Sequence, residues 1–498
     1  MSSAAKISQV LNSNLTKNKL EEAFRLGSTS PGLSDGLICS HEPFVHCIVR
    51  NFLEQEGLEE LQRTIMELKF CDKNNDLYKF KQTKALEERK EPAIKQLKSA
   101  LNTLKNHLSK IFNVELSDKI DMFAAKYSYT DTLLCHDDEL ESRRIAYIYY
   151  LVPEDWSVKD GGALDLFSTC SESGLPDTIV KSISPVKNSL IFFEVTDKSF
   201  HQVAEVLSQS KCRLSVSGWF HGPPYPRPVC TNSSECQMIF DPNDIEEEIL
   251  YSYVNNEYIN PLTQSEIQEK FEEDSEIQLA DFISLEKYRS ICEALKGESI
   301  NWKKLGPANK RNVEVADEDS LPESVKQCLR LLTSDAMFLI LSNITGLHLH
   351  PLAADSNSDD ETESSEPEPK KPRSEGDNSN ESPCGQVSYQ VRRWSHGAYT
   401  LLHDTDVEQG KDFALDAVMY FNCEEWDASQ GGFTSYIAKG DDEELLTLEP
   451  RENCLSLVYR DADSLRFVKH VNHKITNTAH PYFYDICLIY TERSPEND

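Results

Sequence analysis

HDDELESRRIAYIYYLVPEDWSVKDGGALDLF, residues 136–167, changes texture twice. A polar, acidic opening gives way to an apolar run at 145–152, a turn-rich stretch follows, and a second apolar segment occupies 162–167. Short runs of Tyr, Ile, Val and Phe bounded by Gly, Pro, Asp and Ser are strand signals. The pattern returns at 190–195 and 213–220, so the chain beyond Leu116 reads as an antiparallel sandwich or barrel. Upstream, between Phe52 and Phe112, apolar residues recur at helical spacing, as in Leu97, Leu101, Leu104, Leu108 and Phe112. That helical region is locally basic, with 10 Lys/Arg against 5 Asp/Glu in residues 72–110.

Part of the quoted stretch occurs a second time. Tyr150, Trp156 and the pair Gly161 and Gly162 recur at identical spacing as Tyr420, Trp426, Gly431 and Gly432. LLCHDD (133–138) parallels LLHDTD (401–406), and LSKIFNVEL (108–116) resembles LSNITGLHL (341–349). Two related β domains are the simplest account. The expected organisation is a polar segment at 1–40 with one amphipathic stretch around Leu15 to Leu26, then a first domain at 41–235 and an acidic helical connector at 236–310. A second domain at 311–498 is interrupted by an insertion at 353–385, polar, rich in Pro and Ser, and expected to be disordered. The fold class expected is mainly β with flanking helices, in tandem.

The 498 residues suit more than one domain, and 39% hydrophobic content is enough for a core. Net charge is -33, with 84 acidic against 51 basic side chains, which argues against a chain devoted to gripping phosphate backbones. Direct nucleic-acid binding is therefore not expected. Much of the charge is local: 236–300 hold 16 acidic and 4 basic residues, and 353–384 hold 10 and 3. The 14 cysteines lack a CxxC pair, and neither a signal-peptide core nor 18 consecutive apolar residues occurs. Free thiols in a reducing compartment, cytosol or nucleus, with no membrane span, are the expectation.

In the first copy, His136 and Asp138 sit two positions apart in a β-rich stretch, and His201 follows 65 residues later beside another apolar run. Alternate residues of a strand point to one face. Two imidazoles and a carboxylate on one face can hold non-heme Fe(II) with three coordination positions open, as oxygen chemistry needs. Arg213, 12 residues after His201, offers a guanidinium fork for the distal carboxylate of a dicarboxylate co-substrate, with Ser215 on the same strand face. Singly, each residue has an ordinary reading: a polar turn for His136 and Asp138, a hydrogen-bonded histidine for His201, an ion-pair arginine for Arg213, core for Tyr150, and a turn or bulge for the glycine pair. The joint pattern favours the metal site.

HDDELESRRIAYIYYLVPEDW, GGALDLF, SFHQVAEVL and RLSVSGWFHGP resemble the Fe(II)/2-oxoglutarate-dependent oxygenases of the prolyl-hydroxylase type. Within them they are most similar to the ribosomal prolyl 3-hydroxylases and their yeast relative associated with translation termination and polyadenylation. The resemblance spans nearly the whole chain, including GGFTSYIAKGDDEELL and LVYRDADSLRFVKH. It implies tandem double-stranded β-helix domains, the first catalytic and the second not. It places the iron ligands on His136, Asp138 and His201, the 2-oxoglutarate arginine on Arg213, and two co-substrate tyrosines on Tyr127 and Tyr150. Ascorbate as reductant, a small-subunit ribosomal protein at the decoding centre as substrate, translation-termination or mRNA-decay factors as partners, and dual cytoplasmic and nuclear residence follow from the same resemblance.

In the second copy His403 and His470 are read as the retained histidines, Thr405 stands for Asp138, Trp394 for Tyr127, and no arginine follows His470 until Arg493. That copy is expected to be catalytically silent. Two other functions stay open: oxidative demethylation of nucleic acid, favoured only by the basic stretch at 72–110, and a non-catalytic scaffold. KKPR (370–373) reads either as part of a nuclear import signal or as a soluble linker.

Overall fold

The computed structural model describes residues 36–140, 142–227, 238–353, 385–402, 404, 413–440 and 443–492. The expectations placed on Leu15 to Leu26, on most of the insertion with its KKPR, and on His403, Thr405 and Arg493 lie outside the described residues. Two units emerge, one holding 36–227 with 306–311 and 472–474, the other holding the remainder.

The first unit comprises β1 (Leu37–Ser40), β2 (His46–Arg50), α1 (Gln55–Met66), β3 (Phe70–Asn74), β4 (Tyr78–Thr83), α2 (Pro92–Ile111), β5 (Phe123–Tyr127), β6 (Thr132–His136), β7 (Arg143–Tyr150), β8 (Leu164–Thr169), β9 (Pro176–Ile183), β10 (Ser189–Glu194), β11 (His201–Val203) and β12 (Arg213–His221). The spatial order is β1-β2-β10-β7-β12-β5-β4-β6-β11-β8-β9, with β3 paired to β4. The β3/β4 hairpin corrects the reading of 52–112 as wholly helical: Tyr78 and Phe80 alternate with Lys79 and Lys81, a period of two embedded between two helices.

Both sides of the large sheet are covered. α2 starts with Pro92 at its first turn, where a missing N–H costs nothing. It buries Ile94, Leu97, Leu101, Leu104 and Leu108 against Tyr147, Tyr149, Leu214 and Val216. The opposite faces of the same strands contribute Ile148, Tyr150, Ile191 and Phe193 to a second cluster shared with Leu164 and Leu166 of β8. At about 2 kcal/mol for each large apolar side chain buried, these clusters are the main stabilising force. Cys39 and Cys47, directly opposite in β1 and β2 with Cα atoms 4.3 Å apart, form a disulfide. That pair corrects the expectation of free thiols throughout; strand register, invisible in their spacing, brings them together.

The second unit comprises α3 (Glu247–Tyr253), α4 (Pro261–Asp274), β13 (Glu276–Ala280), α5 (Leu285–Leu295), β14 (Trp302–Leu305), β15 (Arg311–Ala316), α6 (Glu323–Leu332), α7 (Asp335–Thr345), β16 (Gly385–Ser395), β17 (Tyr399–Thr400), β18 (Phe413–Phe421), β19 (Thr434–Ala438), β20 (Glu444–Leu448), β21 (Cys454–Asp461), β22 (Ser464–Val468) and β23 (Tyr482–Glu492). Its order is β13-β21-β18-β23-β16-β15-β17-β22-β19-β20, with β14 paired to β15. Adding eleven to each label from β2 onward converts the first order into the second. The duplication therefore begins at β13, inside the segment expected to be a connector. Tyr253, Phe271, Tyr288, Ile291 and Leu295 of that segment share one core with Leu415, Leu455, Ile486 and Leu488. Amphipathic spacing looks the same in a linking helix and in one that covers a sheet, which is why sequence periodicity misplaced the boundary. The architecture is two mainly β units of curled antiparallel sheet with helices on one side.

Candidate metal centre

His136 closes β6 and His201 opens β11, and the two are direct partners in the antiparallel ladder. Their rings tilt at 53° with centroids 4.3 Å apart. Each donates Nδ1–H to the carbonyl two residues before it, His136 to Leu134 at 2.8 Å and His201 to Ser199 at 2.7 Å. Both Nε2 lone pairs are thereby left free to ligate, the arrangement found behind metal-bound histidines. Asp138 follows β6 with a left-handed backbone, φ 63°, which turns its carboxylate back toward the imidazoles. Such a conformation costs an L-residue on the order of 1 kcal/mol and gathers at functional sites. Its oxygens stand 3.4 Å from each Nε2. One ligating atom from each of the three lies within 4.8 Å of the others.

The protonation states suit a cation. Burial opposes the Asp138 charge, yet the His201 and His136 imidazoles and Arg143 outweigh it and hold the carboxyl well below the usual range. Burial, helped by the neighbouring His136, lowers His201 to about 4, so its ring is neutral near pH 7. Burial also acts to lower His136, but Asp138 more than compensates and raises it. The Asp138 carboxylate is therefore ionised near pH 7 and supplies the anionic oxygen a cation needs.

Arg213 opens β12, opposite Tyr127 of β5. It is 1% exposed, and its Nε donates to the Gly162 carbonyl at 2.8 Å. Gly162 has φ 67°, and a Cβ there would lie 2.9 Å from the Arg213 Cδ, so the glycine gives the arginine room. The guanidinium carbon lies 5.0 Å from the ring centres of both Tyr127 and Tyr150. Burial pushes both phenols up, against the pull of Arg213. Arg213 Nη1 reaches Ser215 Oγ at 3.4 Å, but Nη2 and the Tyr150 hydroxyl, both buried, find no partner of ordinary hydrogen-bond geometry among the described residues. A buried guanidinium hydrogen left unsatisfied costs about 1–3 kcal/mol or more. A carboxylate beside Arg213 would satisfy both groups, so the residues fit a 2-oxoglutarate bound between Arg213 and an iron held by the triad.

All six expected residues thus belong to one unit, three at the metal position and three around the arginine. Sequence reasoning missed the support behind them. Ser199 Oγ lies 3.3 Å from the Asp137 carbonyl, and Phe193 packs edge-on to His201 at 4.8 Å. Arg227 donates to Asp137, the residue between the two ligating positions 136 and 138. The run GPPYPR (222–227) was the one available signal, since three prolines in six residues announce a stiff segment.

The corresponding row of the second unit differs from the sequence reading. Arg466 pairs with Tyr436 as His201 pairs with Leu166, so Arg466, and not His470, occupies the row of His201. The chain from the second glycine to this row is 39 residues in the first copy (201 − 162) and 34 in the second (466 − 432), so matching histidines by spacing misaligned them. Phe483 pairs with Trp394 as Arg213 pairs with Tyr127. Asp485 pairs with Tyr420 as Ser215 pairs with Tyr150.

Comparison with known proteins agrees with this geometry. The 2OG-Fe(II) oxygenase superfamily model matches residues 122–221, which contain all six site residues. The model described as oxoglutarate and iron-dependent oxygenase degradation C-term matches 245–498, and so includes the helices first read as a connector. Prolyl 3-hydroxylase OGFOD1 of Xenopus laevis is 45% identical over 98% of this chain and 95% of its own length. Its Mus musculus namesake is 41% identical over 98% and 96%, and prolyl 3-hydroxylase sudestada1 of Drosophila melanogaster 30% over 90% and 83%. The chain belongs to the family of 2-oxoglutarate- and Fe(II)-dependent oxygenases that includes the OGFOD1 proteins.

Proposed function

We propose that the first unit is a prolyl 3-hydroxylase acting on a proline of the small-subunit ribosomal protein at the decoding centre, with an effect on translation accuracy or termination. The observation that carries the oxygenase chemistry is the buried triad set beside an arginine and a tyrosine with unsatisfied polar atoms. His136, Asp138 and His201 would hold Fe(II), and Arg213 would take the distal carboxylate of 2-oxoglutarate, with Tyr127 and Tyr150 flanking it. Bound iron and co-substrate supply the oxidation itself: one atom of O2 enters the substrate C–H bond, the other enters succinate, and CO2 leaves. The chain's own part is orientation and exclusion. Asp138 and the two imidazoles would hold the metal with three protein ligands, a set that suits an open site, while burial around Arg213 keeps water from its guanidinium.

The prolyl substrate and the 3-position are supported by the relatives named prolyl 3-hydroxylase. The ribosomal identity rests on the family resemblance and on the charge of -33, which would steer a basic protein toward this one. Ascorbate as reductant and residence in cytoplasm and nucleus are proposed on the same resemblance. We read the second unit as non-catalytic, a contact module for translation-termination or mRNA-decay factors, because Arg466 and Phe483 stand where a ligand and the co-substrate arginine would be needed.

The test is incubation of purified protein with Fe(II), ascorbate, 2-oxoglutarate and ribosomal proteins. Succinate and a one-oxygen mass gain on a single proline, assigned against 3- and 4-hydroxyproline standards, is the expected result. Absence of the gain, or a gain that survives His136→Ala, would overturn the proposal.

A further inference from the structure

The three ligating side chains come from two segments, 136–138 at the end of β6 and 196–201 leading into β11. Metal affinity depends on holding these segments in register. Ser199 supplies one link: its buried hydroxyl receives the Thr196 N–H and lies within reach of the Asp137 and Thr196 carbonyls. A second link comes from outside both segments. Arg227 donates Nη1 to Asp137 Oδ2 at 2.5 Å and Nη2 to the Thr196 carbonyl at 3.1 Å, so one planar guanidinium spans both segments. Glu139 stands 3.2 Å from the same Nη1.

The segment that delivers Arg227 is built for rigidity. It leaves β12 at His221, ties Gly222 N–H to the Ser142 carbonyl at 2.9 Å, and contains Pro223, Pro224 and Pro226. Each proline fixes φ, so the strap loses little further freedom when Arg227 docks. Tyr225 lies over the Arg144 guanidinium, which is itself paired with Glu194 at 2.7 Å. Both Arg227 and Asp137 side chains are about four-fifths shielded, at 20% and 21% exposure. Asp137 lies between two ligating residues, directly before Asp138 with its left-handed backbone.

We infer that Arg227 is a positioning residue for the metal centre: by clamping Asp137 and Thr196 together it holds the two ligand-bearing segments at ligating distance. This rests on the reading that His136, Asp138 and His201 hold the iron. Partners that orient metal ligands change affinity by roughly 10–100-fold when removed.

The experiment is an anaerobic Co(II) titration of the full chain against a competing chelator, with the melting temperature of each metal-free variant measured in parallel. Arg227→Ala should weaken Co(II) binding about tenfold or more while the metal-free melting temperature moves by no more than a few degrees. Arg227→Lys, which keeps the charge but loses the fork, should recover part of the affinity. Asp137→Asn should reproduce the loss, and the double variant should be no worse than Arg227→Ala alone, since both remove one clamp. Wild-type affinity in Arg227→Ala and Asp137→Asn would overturn the inference while leaving the metal site standing. So would a loss of affinity that merely follows a collapse in melting temperature and that Arg227→Lys fails to rescue. A wild-type chain that binds no Co(II), indistinguishable from His136→Ala, would overturn the metal site and this inference with it.

Discussion

The two units share a strand order and a ladder register but differ in what they bury at equivalent rows. In the first, the inner face around β7, β8 and β10 is apolar, with Leu166 and Phe193 beside His201 and Ala146 opposite Phe193. In the second, Asp416 stands four residues before Tyr420 as Ala146 stands four before Tyr150, and it is fully buried. It takes a forked contact from Arg460 at 2.8 and 3.0 Å, and Arg466 adds another at 3.1 Å. Tyr436, which corresponds to Leu166, donates to the same carboxylate at 3.1 Å. Nearby, Arg392 forks onto Asp485 at 2.8 and 2.7 Å. One copy keeps an apolar wall beside its polar triad; the other pairs the Asp416 and Asp485 carboxylates with its own arginines. A jelly roll can thus keep its backbone while the interior changes from a receptive site to a closed ionic network.

The sharpest break would come at the triad. His136→Ala or Asp138→Ala should reduce hydroxylation to background, measured as succinate release, whereas His470→Ala should leave it unchanged. Next in size, Asp416→Ala should destabilise the second unit by about 3–5 kcal/mol, because it removes the carboxylate onto which the buried Arg460 forks. Denaturant unfolding would register this as a separate early transition, and a single unshifted transition would contradict it.

Acid should distinguish the metal-free first unit. Burial lowers His46 of β2 to about 4, ahead of the opposing effect of the Phe44 carbonyl, which accepts from its Nδ1 at 2.8 Å. A histidine depressed on folding contributes stability that is complete above its unfolded value near 6.5 and lost as pH falls toward 4. That loss amounts to about 3 kcal/mol, and melting curves of His46→Phe across this window should be flatter than those of the parent. The smallest effect concerns co-substrate. Arg213→Lys keeps the charge but not the fork, and should raise the 2-oxoglutarate KM about tenfold, the worth of one charge-assisted hydrogen bond.

Much of this contrast is legible in the linear sequence, and the illegible part has a physical cause. Apolar runs bounded by turns located β7, β8, β10 and β12, because strands buried on both faces are strongly patterned. His136, Asp138, His201 and Arg213 could be picked out together because motif spacing and strand periodicity agree there. Register is what sequence does not carry. It placed Arg466 rather than His470 on the row of His201, joined Cys39 to Cys47, and made β13 a sheet strand rather than part of a connector. Arg227 escaped notice for a related reason: its partner Asp137 lies 90 positions away, and only the folded strap brings them together.

The proposed function requires one iron centre per chain, held in the first unit by His136, Asp138 and His201. Metal stoichiometry of the full-length protein, measured by anaerobic Co(II) titration alongside Asp138→Ala, tests this most directly. The prediction is about one tightly bound metal per chain in the parent and none in the variant. Two metals per chain, or one that persists in Asp138→Ala, would contradict it.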